Sequence, residues 1–305
     1  MSWFQSCIPG ADDFPIAPTL VPGKGVGVVA TRPIPRGEAF IEVLTPMLLS
    51  TNSAVLSELG GVIMGSQLLR DHPEHTLAIH LLLEKYRGRG VALGPTPDGY
   101  TTAPDGSSFY APYIDTLPPT CTNLLYFTMA DFEALEAAGS AVYTRALHLF
   151  RTNVKMYCLL FREVAIPNQA AWPGVTSAMS WRAFRWALAM VMSRQNKLPA
   201  HMGMEDMLAL VPLWDMINHE PGENMTRFDT EKGLLQCNSN REFGEGEEVT
   251  MYYGSRSNTG LFLFAGFTVD SNANDTRPIT IQFMTDDPLF KLRALILKNC
   301  NVRPA

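Results

Sequence analysis

The chain has 305 residues, 46% of them hydrophobic, and a formal net charge of −6. That length suits one large domain or two modest ones, and the acidic balance argues against a general nucleic-acid binder, which carries a basic patch. No apolar run approaches the roughly 20 residues that cross a bilayer, and residues 1–10 lack the basic head and apolar core of a signal peptide. The five cysteines (Cys7, Cys121, Cys158, Cys237 and Cys300) are scattered, with no C-x-x-C pair to hold a metal. The expectation is a monomer with reduced thiols in the cytoplasm, with the nucleus as a further location, bound to neither nucleic acid nor membrane.

From residue 24 to residue 43, short apolar runs alternate with Gly and Pro, which predicts two short strands joined by a turn. Gly25, Gly27 and Ala30 satisfy the G-x-G-x-x-A spacing of a dinucleotide site. That site needs a helix to open at the third position, whereas Pro33 and Pro35 follow within five residues. The glycines read instead as a tight turn whose bare backbone lets a ligand approach. Helical signals dominate from Leu77 to Gln195. A short helix carries Leu77, His80, Leu81 and Glu84 and ends before Gly88, and residues 90–108, rich in Gly, Pro, Thr and Asp, read as a loop. Thr128 and Asp131 form an N-terminal cap signal with Gly139 as the stop. Residues 141–164 repeat apolar side chains at helical spacing until Pro167 ends them. Ser180 is placed to cap a helix over 181–192 whose Trp181, Phe184, Leu188 and Val191 stripe reads as core.

After Ala209 the pattern returns to β. Residues 209–219 run apolar and end in Asp215, Asn218 and His219. Residues 233–238 and 248–253 flank an acidic Gly turn at 243–248; the run 261–269 is apolar but broken by Gly266, and 289–298 is an amphipathic helix. Neither β half is large enough to close a core alone, so one sheet domain interrupted by helices explains the order best. This predicts an α+β fold: 20–72 and 201–270 as the two parts of the sheet domain, 73–200 as a helical insertion, and 271–305 as a short helical stub.

Gly25-Val-Gly27 with Pro35-Arg-Gly-Glu38, then Asp215-Met-Ile-Asn-His219, then Gly246-Glu-Glu248 and Tyr252-Tyr-Gly254 follow an order that resembles the SET-domain methyltransferases. The helices between them resemble the insertion of the branch that includes the Rubisco large-subunit lysine methyltransferase. Within it, Arg185-Trp186, Ser193-Arg-Gln-Asn196, Val211-Pro-Leu-Trp-Asp215 and Tyr253-Gly-Ser-Arg-Ser-Asn258 are most similar to the actin-histidine methyltransferases. The resemblance covers residues 23–270 and implies a SET β-fold with knot-like threading. It makes 271–305 the start of a truncated C-terminal substrate-binding domain. Lys155-Met156 departs from the pattern, standing where the actin-directed enzymes carry an Arg-Gln pair.

The resemblance implies S-adenosylmethionine as cofactor and a protein, actin foremost, as substrate. The cofactor cleft it implies is formed by Gly25, Gly27, Arg194, Asp215, Met216, Ile217, Asn218, His219, Tyr253, Ala265, Gly266 and Phe267. Arg194 would hold the cofactor's carboxylate, Asn218 its amino group, the backbone at His219 its adenine edge, and Phe267 would stack on the ring. By the same resemblance Tyr253 would be the catalytic residue, and Asn196, Trp214, Gln195 and Arg256 would contact the substrate; no metal is implied.

These residue types suit the chemistry. Methyl transfer from a sulfonium is an in-line displacement in which the protein aligns the reactants and excludes water. An Arg fork and an Asn amide fit a carboxylate and an amine. A lysine acceptor, with a pKa of about 10.4, must lose a proton first, whereas a histidine at about 6.5 is already mostly neutral. Asn196 would orient such a ring, and both Asn196 and Trp214 favour histidine over lysine by the same resemblance. Two other readings stay open: a lysine methyltransferase for a non-histone protein, and a catalytically weak SET-like binding module. Taken singly, the residues have ordinary structural readings. His219 is a satisfied core histidine, Asp215 a hydrogen-bonded turn carboxylate, Asn196 a helix C-cap and Arg256 a solvated turn residue. His72, His75, His148 and His201 read as surface or structural, and Glu245, Glu247 and Glu248 as a solvated turn.

Overall fold

The computed structural model describes residues 2–7, 13–199, 206–276 and 287–299. Ten short strands are seen among them: β1 (Ile16–Val21), β2 (Gly25–Ala30), β3 (Ala39–Leu44), β4 (Leu49–Ser50), β5 (Asn196–Leu198), β6 (Met207–Leu210), β7 (Asn218–His219), β8 (Thr226–Asp229), β9 (Leu234–Asn238) and β10 (Glu248–Met251). They form three small sheets in the orders β1-β2-β10-β7, β3-β9-β8 and β4-β6-β5. Each sheet joins strands that precede the central helices to strands that follow them. The longer helices are α1 (Pro73–Tyr86), α2 (Met129–Ala137), α3 (Ala141–Leu160), α4 (Trp181–Arg194) and α5 (Phe290–Asn299). The fold is α+β, and no helix among the described residues is long and apolar enough to cross a membrane.

Two apolar cores divide the work. One fills the helical part, where Leu77 and Leu81 of α1 meet Phe184, Leu188 and Val191 of α4. The other lies between the sheets and contains Val28, Ile41, Val211, Trp214, Ile217, Phe243 and Val249. Strands β2 and β10 bury side chains here because their apolar positions share a face, and the β1–β2 turn closes on Gly23 and Gly25 in the left-handed region. The Thr128 cap forms as the spacing predicts, with Thr128 and Asp131 each bonding the other's backbone.

Four expectations change. First, β2 and β3 are not one hairpin: they lie in separate sheets, with Ile34 between them bridging to Phe243. The prolines either side of Ile34 have no N–H to give a hairpin ladder. Second, Pro167 does not stop the helical run. After α3 the chain widens into a π-turn over Phe161–Ala165, and Pro167 sits in the following turn, Ile166–Asn168. The wider turn removes the i−4 bond that proline cannot make. Third, Ser180 occupies the cap position of α4 without a side-chain hydrogen bond. Fourth, the apolar run from Leu261 is helical: Ser257 caps a turn at Asn258–Gly260 that continues as a π-turn, Leu261–Ala265, and ends at Gly266 with φ +85°. An apolar run that short does not distinguish helix from strand.

Candidate functional site

The segment 209–219 is not one strand. After β6 it turns at Leu213, whose φ of +65° is left-handed for a branched residue, runs through a 3₁₀ turn at Trp214–Met216, and re-enters the sheet as β7. Such backbone costs roughly 1–3 kcal/mol and persists only where packing imposes it; Leu213 and Trp214 are both buried in the sheet core. The turn presents the carbonyls of Asp215 and Ile217 to two different side chains, those of Arg194 and Tyr253.

Strand β7 pairs in parallel with β10, setting Asn218 beside Thr250 and His219 beside Met251. Tyr252 and Tyr253 follow at once. The Tyr253 hydroxyl donates to the Ile217 carbonyl at 2.7 Å, and its backbone N–H donates to His219 Nδ1 at 3.2 Å. The His219 ring lies 5.0 Å from the Tyr253 ring and 6.0 Å from Phe267, which meets Tyr253 edge-on at 6.3 Å. Burial holds His219 below the usual imidazole range, so its ring is neutral at pH 7. Burial also pushes the Tyr253 phenol up to about 12, keeping it protonated.

Arg194, the last residue of α4, donates from Nη1 to the Asp215 carbonyl at 2.6 Å. Asp215 Oδ2 accepts from the Tyr113 hydroxyl at 2.6 Å. Burial raises the Asp215 carboxyl, opposed by the Arg194 charge and the Tyr113 bond. Four buried polar atoms around this corner have no partner among the described residues: Arg194 Nε, Asp215 Oδ1, Gln195 Oε1 and Trp214 Nε1. Unpaired buried donors and acceptors are rare in native proteins, so each of these atoms has capacity left for a further polar partner.

On the other side, the Asn218 amide donates to Glu248 Oε1 at 2.8 Å, and Lys24 meets Glu248 Oε2 at 2.7 Å. Glu248 is therefore a bonded partner of the site and not part of a solvated turn; Glu247 instead accepts from the Gly244 N–H and pairs with Arg241. A Cβ on Gly27 would stand 2.8 Å from the Asn218 amide nitrogen and 2.7 Å from Val21, so glycine is needed there for space. Gly25, with nothing within 4 Å but a φ of +81°, is needed for its backbone conformation. Beside these residues lies an open cleft of about 360 Å³ lined by Lys24, His219, Glu220, Arg241, Glu248 and Thr250, among others.

The other expected site residues scatter more. Ile217 is fully buried and contributes through its carbonyl, while Met216 packs on the sheet core. Asn196 opens β5 and donates from its amide to the Arg194 carbonyl at 3.1 Å, the bond a C-terminal helix cap makes. Trp214 is 1% exposed, so its ring lies in the core and not on a surface. Arg256 is half-buried and its charge acts on both His219 and Tyr253. His201 lies outside the described residues.

Sequence reading passed over Tyr113 and Asn123. Tyr113 carried no motif signal, since its partner lies 102 positions away. Asn123 is fully buried and donates to the Phe264 carbonyl at 3.1 Å, while Thr122 donates to the Gly266 carbonyl, which together staple the π-turn bearing Ala265, Gly266 and Phe267. A Cβ on Gly266 would stand 2.3 Å from Thr122 Oγ1 and 2.9 Å from the Asn123 nitrogen, on a left-handed backbone. Gly266→Ala should therefore lower the Tm by at least about 4 °C, as expected for a loss of about 2 kcal/mol. A thermal denaturation curve unchanged from the parent would contradict this account of the turn.

The SET domain family matches residues 25–254. The chain is 30% identical over 283 residues to the actin-histidine N-methyltransferase of Canis lupus familiaris, covering 92% of this chain and 44% of that protein. It is 29% identical over 303 residues to that of Danio rerio, covering 99% and 47%. The chain thus spans less than half the length of these curated relatives. Among solved structures, the SET domain of LSMT bound to lysine and AdoHcy superposes with a TM-score of 0.76 at 20% identity, over 98% of this chain and 63% of that one. Rubisco LSMT bound to AdoMet gives 0.74 at 22%, over 98% and 62%. At those identities the likeness is one of fold.

Proposed function

The chain belongs to the SET-domain family, and on that premise we propose that it is an S-adenosylmethionine-dependent protein methyltransferase whose acceptor is a histidine of actin. Support for the acceptor comes from the curated relatives, which are named for it. Support for the chemistry comes from one observation above all: Arg194, Asp215, His219 and Tyr253 converge on a corner where four buried polar atoms have no partner among the described residues. These atoms fit a ligand with a charged amino-acid end, and Gly27 lets the Asn218 side chain pack against β2 beside them. Arg194 Nε, without a partner among the described residues, would meet a carboxylate, and the Asn218 amide, now on Glu248, would meet an amine from β7. Phe267 and His219 give the base an aromatic wall. S-adenosylmethionine, when bound, supplies the electrophilic methyl group.

The protein's own part is alignment and exclusion of water. The Tyr253 hydroxyl gives its one hydrogen to the Ile217 carbonyl, so its oxygen lone pairs remain to polarise a methyl group in transit. With its pKa pushed up to about 12, that phenol is not a base at neutral pH. Asp215 gives one carboxylate oxygen to Tyr113. A site whose central phenol stays protonated suits an acceptor that is neutral on arrival, which a histidine is and a lysine is not. Lysine remains the second reading on one observation, the burial of Trp214, which leaves Asn196 to discriminate between them. The cytoplasm, where actin resides, is the location that goes with this reading.

Labelled S-adenosylmethionine and an actin peptide, with its histidine intact or replaced by Ala, should give label on the intact peptide alone. The rate should rise to about pH 7 and then stay level, following an acceptor with a pKa near 6.5. A rate that climbs continuously toward pH 10, or label on lysine, would move the assignment to the second reading.

A further inference from the structure

Far from the methyl-transfer corner, His72, Glu74 and His75 stand together at the first turn of α1, each offering one ligand atom within 4.8 Å of the others. The hydrogen-bond directions there are determined. Asn153 on α3 donates from its amide nitrogen to the Leu149 carbonyl at 2.9 Å, which turns its amide oxygen toward His75 Nε2 at 3.1 Å. Reversing the amide would set two oxygens against each other, so His75 Nε2 must carry the hydrogen. The other ring nitrogen, Nδ1, faces Glu74 Oε1 at 3.1 Å. A ring nitrogen and a carboxylate oxygen at this distance can share a cation.

A proton would serve, but a proton shared by His75 and Glu74 has no use for a third donor. His72 Nδ1 is that donor, 3.8 Å from the same Glu74 oxygen. We propose that His72, Glu74 and His75 bind a divalent transition metal of the zinc class, through His72 Nδ1, a Glu74 oxygen and His75 Nδ1. Imidazole and carboxylate are suitable ligands for zinc, and three protein ligands leave a fourth position for water. Bonds of about 2.1 Å at tetrahedral angles separate ligand atoms by roughly 3.4 Å, and the observed 3.1 and 3.8 Å bracket that value. The His75–Asn153 bond is the outer contact that holds a ligating imidazole in the right tautomer. Phe184 stacks on the same ring at 6.3 Å, fixing its plane. A cation at a helix N-terminus opposes the helix dipole, and the Glu74 charge in that first turn offsets it.

Because all three ligands lie within four residues, the ion's effect is to lock the start of α1 and, through Asn153, tie it to α3. Phe184 and Arg194 are ten residues apart on α4, about 15 Å along the axis, so the ion is structural and takes no part in transfer. The test uses the full 305-residue chain, stripped with a chelator and dialysed against zinc chloride, with bound metal counted and the Tm recorded. One zinc per chain and a raised Tm are expected, with affinity at least about 10-fold weaker in His72→Ala and Glu74→Gln. His148→Ala, at an exposed histidine outside the cluster, should bind as the parent does. His72 is partly exposed, so its loss leaves folding intact and the comparison readable. Binding that His72→Ala does not weaken, or cobalt spectra dominated by thiolate bands, would place the ion on cysteines and overturn the site. So would an absence of zinc uptake by the stripped parent chain.

Discussion

Tyr253→Phe should reduce the single-turnover rate by about 100-fold or more while leaving the fold and the cofactor affinity nearly as they are. The substitution removes one oxygen. Its bond to the Ile217 carbonyl goes with it, a stability loss of about 1 kcal/mol. The ring stays, and with it the contacts to His219 at 5.0 Å and to Phe267 at 6.3 Å, so the aromatic wall survives. What disappears is the oxygen that would polarise the methyl during transfer, and deleting one such preorganised group typically reduces rates by 10²–10³. The split between rate and binding is the diagnostic. A Phe variant keeping more than a tenth of the parent rate would remove Tyr253 from the chemistry. A variant that failed to bind cofactor would make it a packing residue.

Parts of this site were legible in the sequence because they are local and polar. Asp215, Asn218 and His219 interrupt an apolar run, and Tyr252 and Tyr253 end another, so both strand ends announced themselves. Their meeting was not readable from pattern alone, since the parallel β7–β10 pair joins Asn218 to Thr250 across thirty-two positions and no periodicity records it. Only the order of motifs, through resemblance, pointed to it. Glu248 shows how charge counting misleads. It belongs to an acidic turn in sequence, yet it takes the Asn218 amide and the Lys24 amine. The strained Leu213 and the buried Trp214 had the same cause: a sharp turn in the middle of an apolar stretch, where β-propensity predicts continuity. Helices over 51–71, each of five or six residues, are too short to show the 3.6-residue period and left no signal. His75 and Glu74 are adjacent and so were visible, but the contact that orients the His75 ring comes from Asn153, seventy-eight residues on.

Arg194→Met should weaken cofactor binding by at least about 30-fold, the equivalent of about 2 kcal/mol, and should do so more than any other single change at this corner. Methionine keeps the length and apolar stem of arginine, so packing at the end of α4 is largely retained. The charge is lost. In the parent, Asp215 lies close enough to hold Arg194 charged despite its burial, and Nη1 spends one hydrogen bond on the Asp215 carbonyl. Nε is left without a partner among the described residues, which is the capacity a bound carboxylate would use. Removing the guanidinium takes away the one cation whose charge offsets the desolvation of Asp215, so that carboxyl should rise further and become neutral closer to pH 7. Its folded pKa would then stand above its unfolded one by more than in the parent. The sign of the linkage follows: the variant gains stability relative to the parent as pH falls toward 5 and loses it as pH rises through the shifted value. Calorimetry at pH 7 measures the first effect and paired melting curves at pH 5 and pH 8 the second. Parent-like affinity would mean that the unpaired atoms around Arg194 serve some other ligand. A stability difference that does not change with pH would mean that Asp215 does not sense the arginine at all.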